Sequence, residues 1–246
     1  MIPIVRGTLS SSTQRTLRGR QQRVDAAADP AATATKSWKT FSSGNARQEV
    51  MHVLQTMCSN RVRCMYCEDN EGTDIDHFRP KAHYPEWSFT WENYLLACSR
   101  CNSNYKRDRF PVDGDRELLL DPTAANPFDH LILSLSTGVY IGSDDIGLAS
   151  IEVYGLNRDV CVKGRFYTWV SLCALIRDYE RSNQIEREAI LTTVNDFPFQ
   201  GVRHWLARVL AEGDHAATVP PDVHAIADKH PELLTAPQRH SDQDQP

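Results

Sequence analysis

The sequence predicts an α+β chain, with a zinc-stapled ββα core embedded in mostly helical surroundings. Three observations lead there. Two CxxC pairs, Cys64 with Cys67 and Cys98 with Cys101, are separated by 30 residues. Between them Asp74–Phe78 alternates as a short strand and Trp91–Ala97 gives a second apolar run, with Pro80 and Pro85 marking the loop that joins them. Outside this stretch apolar residues recur at helical spacing.

Each CxxC turn can aim two sulfurs at one metal, so four thiolates at this spacing make a closed tetrahedral zinc site. Taken in order, residues 1–44 form a basic, weakly ordered segment rich in Ser, Arg and Ala, in which residues 25–32 read as a linker. Residues 45–112 are the core module. It opens with a helix from Asn45 to about Met57, where Val50, Val53, Leu54 and Met57 line one face. A second helix runs from Asn102 to Arg109 and stops before Pro111. Residues 113–212 carry a hairpin turning at Thr137-Gly138, a helix from Asp159 to about Tyr179, and another from Gly201 to Ala211. Residues 213–246 read as a disordered tail.

Composition narrows the function classes. No apolar run approaches the roughly 18–20 residues that span a bilayer, and none has signal-peptide length, so neither a membrane protein nor export is expected. Seven cysteines make an odd count, which argues against a disulfide framework. Cys58, Cys161 and Cys173 read as buried free thiols, and the whole set suits a reducing cytoplasm. The net charge is −5, yet residues 1–40 sum to +5, with seven Arg and Lys against Asp25 and Asp29. A second basic cluster, Arg100, Lys106, Arg107 and Arg109, follows the last cysteine pair. Local patches of this kind are enough for phosphate contact on an acidic protein.

The polar residues between the sulfurs are more than a structural knuckle needs. Phosphodiester hydrolysis requires an activated water, a cation to absorb charge at phosphorus, and help for the leaving oxygen. A neutral imidazole suits the first task; one hard divalent cation suits the others. His77 is the expected general base, with Asp76 and Asn102 as ligands of Mg²⁺ or Mn²⁺, since a carboxylate and an amide oxygen suffice for such an ion. Asn93 is expected to hold the loop of the base through backbone hydrogen bonds. Arg79, Lys81, Lys106 and Arg107 are the expected phosphate contacts. One condition attaches to this site: adjacent strand residues face opposite ways, so Asp76 and His77 can share a target only where the strand ends or twists.

The order Cys-Cys, Asp-His, Asn, Cys-Cys-Asn resembles the HNH endonucleases, which have a zinc-stapled ββα-metal (His-Me finger) fold. That resemblance implies a His that activates water, a middle Asn that orients it, and an Asp with a final His or Asn on the metal. Here Asn102 takes the final position, and Tyr84-Pro85-Glu86-Trp87 replaces the Gly-Gly of many members. Further residues, including Ile75-Asp76-His77-Phe78-Arg79-Pro80-Lys81, Trp91-x-Asn93, Leu119–Pro122 and Gly155–Arg158, look like the PtuB nucleases of retron and Septu anti-phage operons. The likeness runs from about residue 60 to 165. It implies a defence effector cutting nucleic acid, DNA favoured, beside an ABC/SMC-type ATPase (PtuA-like). Two alternatives stay open: a non-catalytic zinc adaptor for nucleic acid or a partner, and a stand-alone restriction nuclease.

Overall fold

Residues 1–42, 44–58, 61–213 and 218–235 are described in a computed structural model. Residues 1–44 differ from the weak order expected of them: they contain helices α1 (Ser11–Asp25) and α2 (Pro30–Thr40). The start signals explain why. The Ser10 side chain accepts from the Thr13 N–H, and Asp29 accepts from the Ala32 N–H with Pro30 in the first helical position. Each such cap contributes about 1 kcal/mol, and the Asp-Pro pair that reads as a linker is a helix start. Leu17, Val24 and Ala34 then bury their side chains. Helix α3 (Asn45–Thr56) follows, burying Val50 and Leu54.

The centre is an antiparallel hairpin of β1 (Asp74–His77) and β2 (Tyr94–Ala97), with Asp74 opposite Ala97 and His77 opposite Tyr94. The ladder stays regular through His77. Period-2 alternation therefore puts Asp74 and Asp76 on one face, Ile75 and His77 on the other. Helices α1 and α2 lie against the short helical turn Pro85–Trp87 of the connecting loop, and α3 packs on β2. After Cys98 the chain winds into a π-helical segment, Arg100–Lys106, in which the Asn102 carbonyl accepts from the Arg107 N–H at 2.7 Å. The helix expected over Asn102–Arg109 is thus shifted toward the cysteines. It ends early because Arg107 takes a left-handed conformation, φ 53°.

The second half begins with a tight hairpin, β3 (Val112–Asp113) and β4 (Arg116–Glu117). A second hairpin, β5 (Leu131–Leu133) and β6 (Tyr140–Gly142), turns near Thr137-Gly138. Helices α4 (Asp145–Tyr154), α5 (Asp159–Arg181), α6 (Gln184–Asp196), α7 (Gln200–Glu212) and α8 (Pro221–Lys229) complete it. Helix α8 lies within the stretch expected as a disordered tail. It forms because Val223 and Ala227 sit four apart and bury, with α8 packed on α5. Residues 214–217 and 236–246 of that expected tail are outside the described residues.

The two halves share one core. Tyr66 of the first CxxC turn stacks on Tyr154 at 4.0 Å between centroids, and the Tyr154 hydroxyl donates to the Leu120 carbonyl at 3.1 Å. Among the described residues no helix is long and apolar enough to cross a membrane.

Candidate functional site

Cys64, Cys67, Cys98 and Cys101 are all buried, and their sulfurs lie within 4.8 Å of one another. The Cys67 and Cys98 sulfurs are 3.9 Å apart. A tetrahedral zinc with Zn–S near 2.3 Å sets sulfurs about 3.8 Å apart, so the donor set fits the ion. Packed as thiols, the four compete. Burial pushes the Cys64 thiol up, while hydrogen bonds led by Cys101 push Cys67 down. A divalent cation would resolve this by holding all four as thiolates. Backbone supports the knuckle: the Cys101 N–H donates to the Cys98 sulfur at 3.4 Å. Glu68, left-handed at φ 61°, accepts from the Gly201 N–H at 3.0 Å and ties the first turn to α7.

On the inner face of β1, the Asp76 carboxylate is fully enclosed. The Tyr66 hydroxyl donates to its Oδ2 at 2.6 Å, and the Lys106 ammonium lies 3.1 Å from the same oxygen. Burial pushes the Asp76 carboxyl up, and the Lys106 ammonium and the Tyr66 hydroxyl oppose that rise. Lys106, expected to contact phosphate, is instead completely buried, and it also donates to the His77 carbonyl at 2.6 Å. Asn102 does not reach Asp76. Its amide donates to Asp74 Oδ2 at 3.2 Å, one pleat away on the same face.

His77 occupies the opposite face. Its Nε2 lies 3.0 Å from the Ser88 carbonyl oxygen, and its ring meets the Trp38 indole edge-on at 4.3 Å between centroids. Only 5% of the residue is exposed. Burial, with Lys81 next in effect, pushes the imidazole down to about 3, so it is neutral at physiological pH. The arrangement around Asp76, His77 and Asn102 therefore differs from the expected site: the three do not converge on one point. The cause is the unbroken ladder through His77, which denies the strand the twist that site needs.

Asn93 is fully buried and spends its amide on the loop after β1. Its Oδ1 accepts from the Arg79 N–H at 2.7 Å, and its Nδ2 donates to the carbonyls of Arg79 and Trp87 at 3.0 and 2.9 Å. Arg79 is paired with Glu117, Nη2 to Oε2 at 2.9 Å, and stacks over Trp87. Lys81 is half-buried and Arg107 is exposed. His83 lies 3.6 Å from Asp108 on the surface, and His130 bonds Asp144 at 2.7 Å.

Four neighbours escaped the sequence reading. Tyr66 sits inside the CxYC turn, so its placement near the strand was open to inference. Trp38 and Ser88 lie in segments with no metal or strand signal, and Asp74, though inside the expected strand, gave no sign that it would meet Asn102.

Residues 64–108 match the family model described as HNH endonuclease. The chain is 29% identical over 158 residues to Septu protein PtuB of Bacillus mycoides, covering 51% of this chain and 52% of that protein. It is 29% identical over 110 residues to Septu protein PtuB of Bacillus thuringiensis, 43% of this chain and 40% of that one. A third similarity, 40% over 58 residues, is to protein ea31 of Escherichia phage lambda, with 23% of this chain and 20% of ea31 covered. The chain thus spans about half the length, or less, of the curated relatives it matches. Over residues 64–108, around its four-cysteine cluster, the chain carries an HNH endonuclease domain.

Proposed function

We propose that this chain is a metal-dependent HNH endonuclease of anti-phage defence, hydrolysing phosphodiester bonds of nucleic acid, DNA in preference. One observation carries the reading. The HNH match covers the segment in which four buried cysteines meet, and the same segment holds Asp76, His77, Asn93 and Asn102. The relatives named Septu protein PtuB support the defence role and an ABC/SMC-type ATPase as partner. Seven cysteines unbridged by disulfides suit a reducing cytoplasm.

The four cysteines would hold zinc, which supplies folding energy rather than chemistry. For the catalytic Mg²⁺ or Mn²⁺ the residues do not fit as arranged here. Lys106 already neutralises Asp76, and Asn102 is turned to Asp74. We therefore read the arrangement as a closed form. Helix α2, through Trp38, covers His77, and Lys106 closes Asp76. Opening requires the ladder to end at Asp76, so that His77 can turn toward that carboxylate. Arg79, Lys81 and Arg107 border this region and remain the phosphate contacts of the reading. Lys106 joins them only if it leaves Asp76.

The burial of His77 equally favours a second reading, a non-catalytic zinc adaptor for nucleic acid or a partner. Incubating zinc-loaded protein with plasmid and with total RNA, in Mg²⁺ or Mn²⁺, with and without a PtuA-like ABC/SMC-type ATPase, separates the two. Nicking that disappears in His77→Ala, at unchanged zinc content, supports the nuclease. Absence of cleavage in every arm leaves the adaptor, and cleavage undiminished without any ATPase favours a stand-alone enzyme.

A further inference from the structure

We propose that Arg158, fifty residues beyond the HNH domain, is the counter-charge of the four-cysteine cluster and a positioning residue for its zinc. This rests on reading the cluster as a zinc site. Four thiolates around one divalent ion leave two net negative charges. All four cysteines are buried, and buried charge is costly unless it is paired.

Arg158 meets that requirement from outside. Its Nη1 donates to the Cys101 sulfur at 3.5 Å and to the Gly155 carbonyl at 3.2 Å. Its Nε and Nη2 are shielded from solvent and, among the described residues, make no hydrogen bond of good geometry, while the Cys67 sulfur lies close to the guanidinium. Among the described residues no carboxylate forms an ion pair with it, although Asp69 lies within electrostatic reach. A guanidinium placed this way has the sulfurs as its principal anionic neighbours. Cys161, in the first turn of α5, also sits against Cys67.

The approach depends on the turn between α4 and α5. Gly155 ends α4 at φ 61°, and a Cβ there would lie 2.3 Å from the Tyr105 ring. Only glycine lets the chain double back so closely over the π-helical segment and deliver Arg158 to the cluster. The helical second half is thereby coupled to the metal that staples the first.

The test measures zinc. The 246-residue chain with Arg158, Arg158→Lys, Arg158→Gln or Arg158→Met is zinc-loaded and titrated with a competing chelator, with folding followed by far-UV circular dichroism. Loss of such an outer-shell partner weakens metal affinity about 10–100-fold, and this is expected for Arg158→Met, with Lys between Met and Arg. Cobalt substitution adds a readout that packing alone would not move. Losing the N–H···S contact leaves the thiolate more electron-rich and shifts the thiolate-to-cobalt charge-transfer band to lower energy. A folded Arg158→Met chain that holds zinc as tightly as the parent, with an unshifted cobalt band, overturns the proposal. Should Met fail to fold, charge pairing requires Lys to hold zinc more tightly than Gln, and equal or reversed order overturns it. If none of the four proteins carries zinc, the zinc reading itself fails, which is a different result.

Discussion

The Trp38 indole and the His77 imidazole meet edge-on, 4.3 Å between centroids and 69° between planes. One belongs to a helix before the HNH domain, the other to the strand at its centre. Arg47 lies over the indole, and Tyr94 and Phe89 flank it. An edge contact of this kind contributes about 1 kcal/mol beyond area burial. If α2 is a cover, removing it shifts a closed–open balance by roughly fivefold. Trp38→Ala is therefore expected to raise divalent-dependent nicking several-fold and to make His77 reactive toward diethyl pyrocarbonate. Labelled His77 with unchanged or lower cleavage would rule out a cover that limits activity.

Asp76 and Lys106 are a buried ion pair at 3.1 Å, their side chains 4% and 0% exposed. Removing one member strands the other in a low-dielectric interior. Lys106→Met should cost about 3–5 kcal/mol in urea unfolding, and Lys106→Met with Asp76→Leu distinctly less. The double-mutant cycle measures their coupling directly. A single-mutant loss below about 1 kcal/mol would mean that solvent reaches the pair.

The parts of this arrangement that the sequence revealed are those written in local spacing. Two CxxC turns can face one metal whatever lies between them, and of the expected helix stripe Val162, Phe166, Trp169, Val170, Cys173 and Ile176, the residues Trp169, Cys173 and Ile176 bury while Val170 stays exposed. Trp38 shows where spacing stops informing. Nothing near residue 38 says which strand it will cover, because that contact depends on how α2 docks. Lys106 shows the same in reverse. A lysine among arginines reads as surface charge, and only the π-helical path from Cys101 turns it inward against Asp76. The Asp76–His77 step was legible as a geometric condition. Whether the strand met it depended on the partner strand, whose pairing with Tyr94 keeps His77 in the ladder.

The same burial gives His77 a pH signature. Its pKa is pushed down to about 3 in the fold, against about 6.5 in an unfolded chain. Between those values the unfolded state binds the extra proton, so stability falls as pH drops below about 6.5 and stops responding to this group near 3. The slope from one proton is at most about 1.4 kcal/mol per pH unit. Chemical denaturation of the parent and of His77→Phe between pH 4 and 7 checks it. The variant should show a shallower dependence, and parallel curves would place His77 in contact with water.

The cluster itself sets the last expectation. Zinc binding at four buried thiolates contributes its free energy to folding, and a preformed site does not survive in the unfolded chain. The consequences should extend well beyond residues 64–108. Tyr66, between two of the ligands, stacks on Tyr154, and Arg158 reaches Cys101. Cys64→Ser, or prolonged chelation of the parent, is thus expected to lower the melting temperature by more than 10 °C. That corresponds to a loss of several kcal/mol at roughly 2–4 °C per kcal/mol for a chain of this size. Hydrogen exchange should report deprotection in α4 and at the start of α5 together with the hairpin. Loosening confined to the two CxxC turns, with α4 and α5 as protected as before, would show that the second half folds independently of the metal.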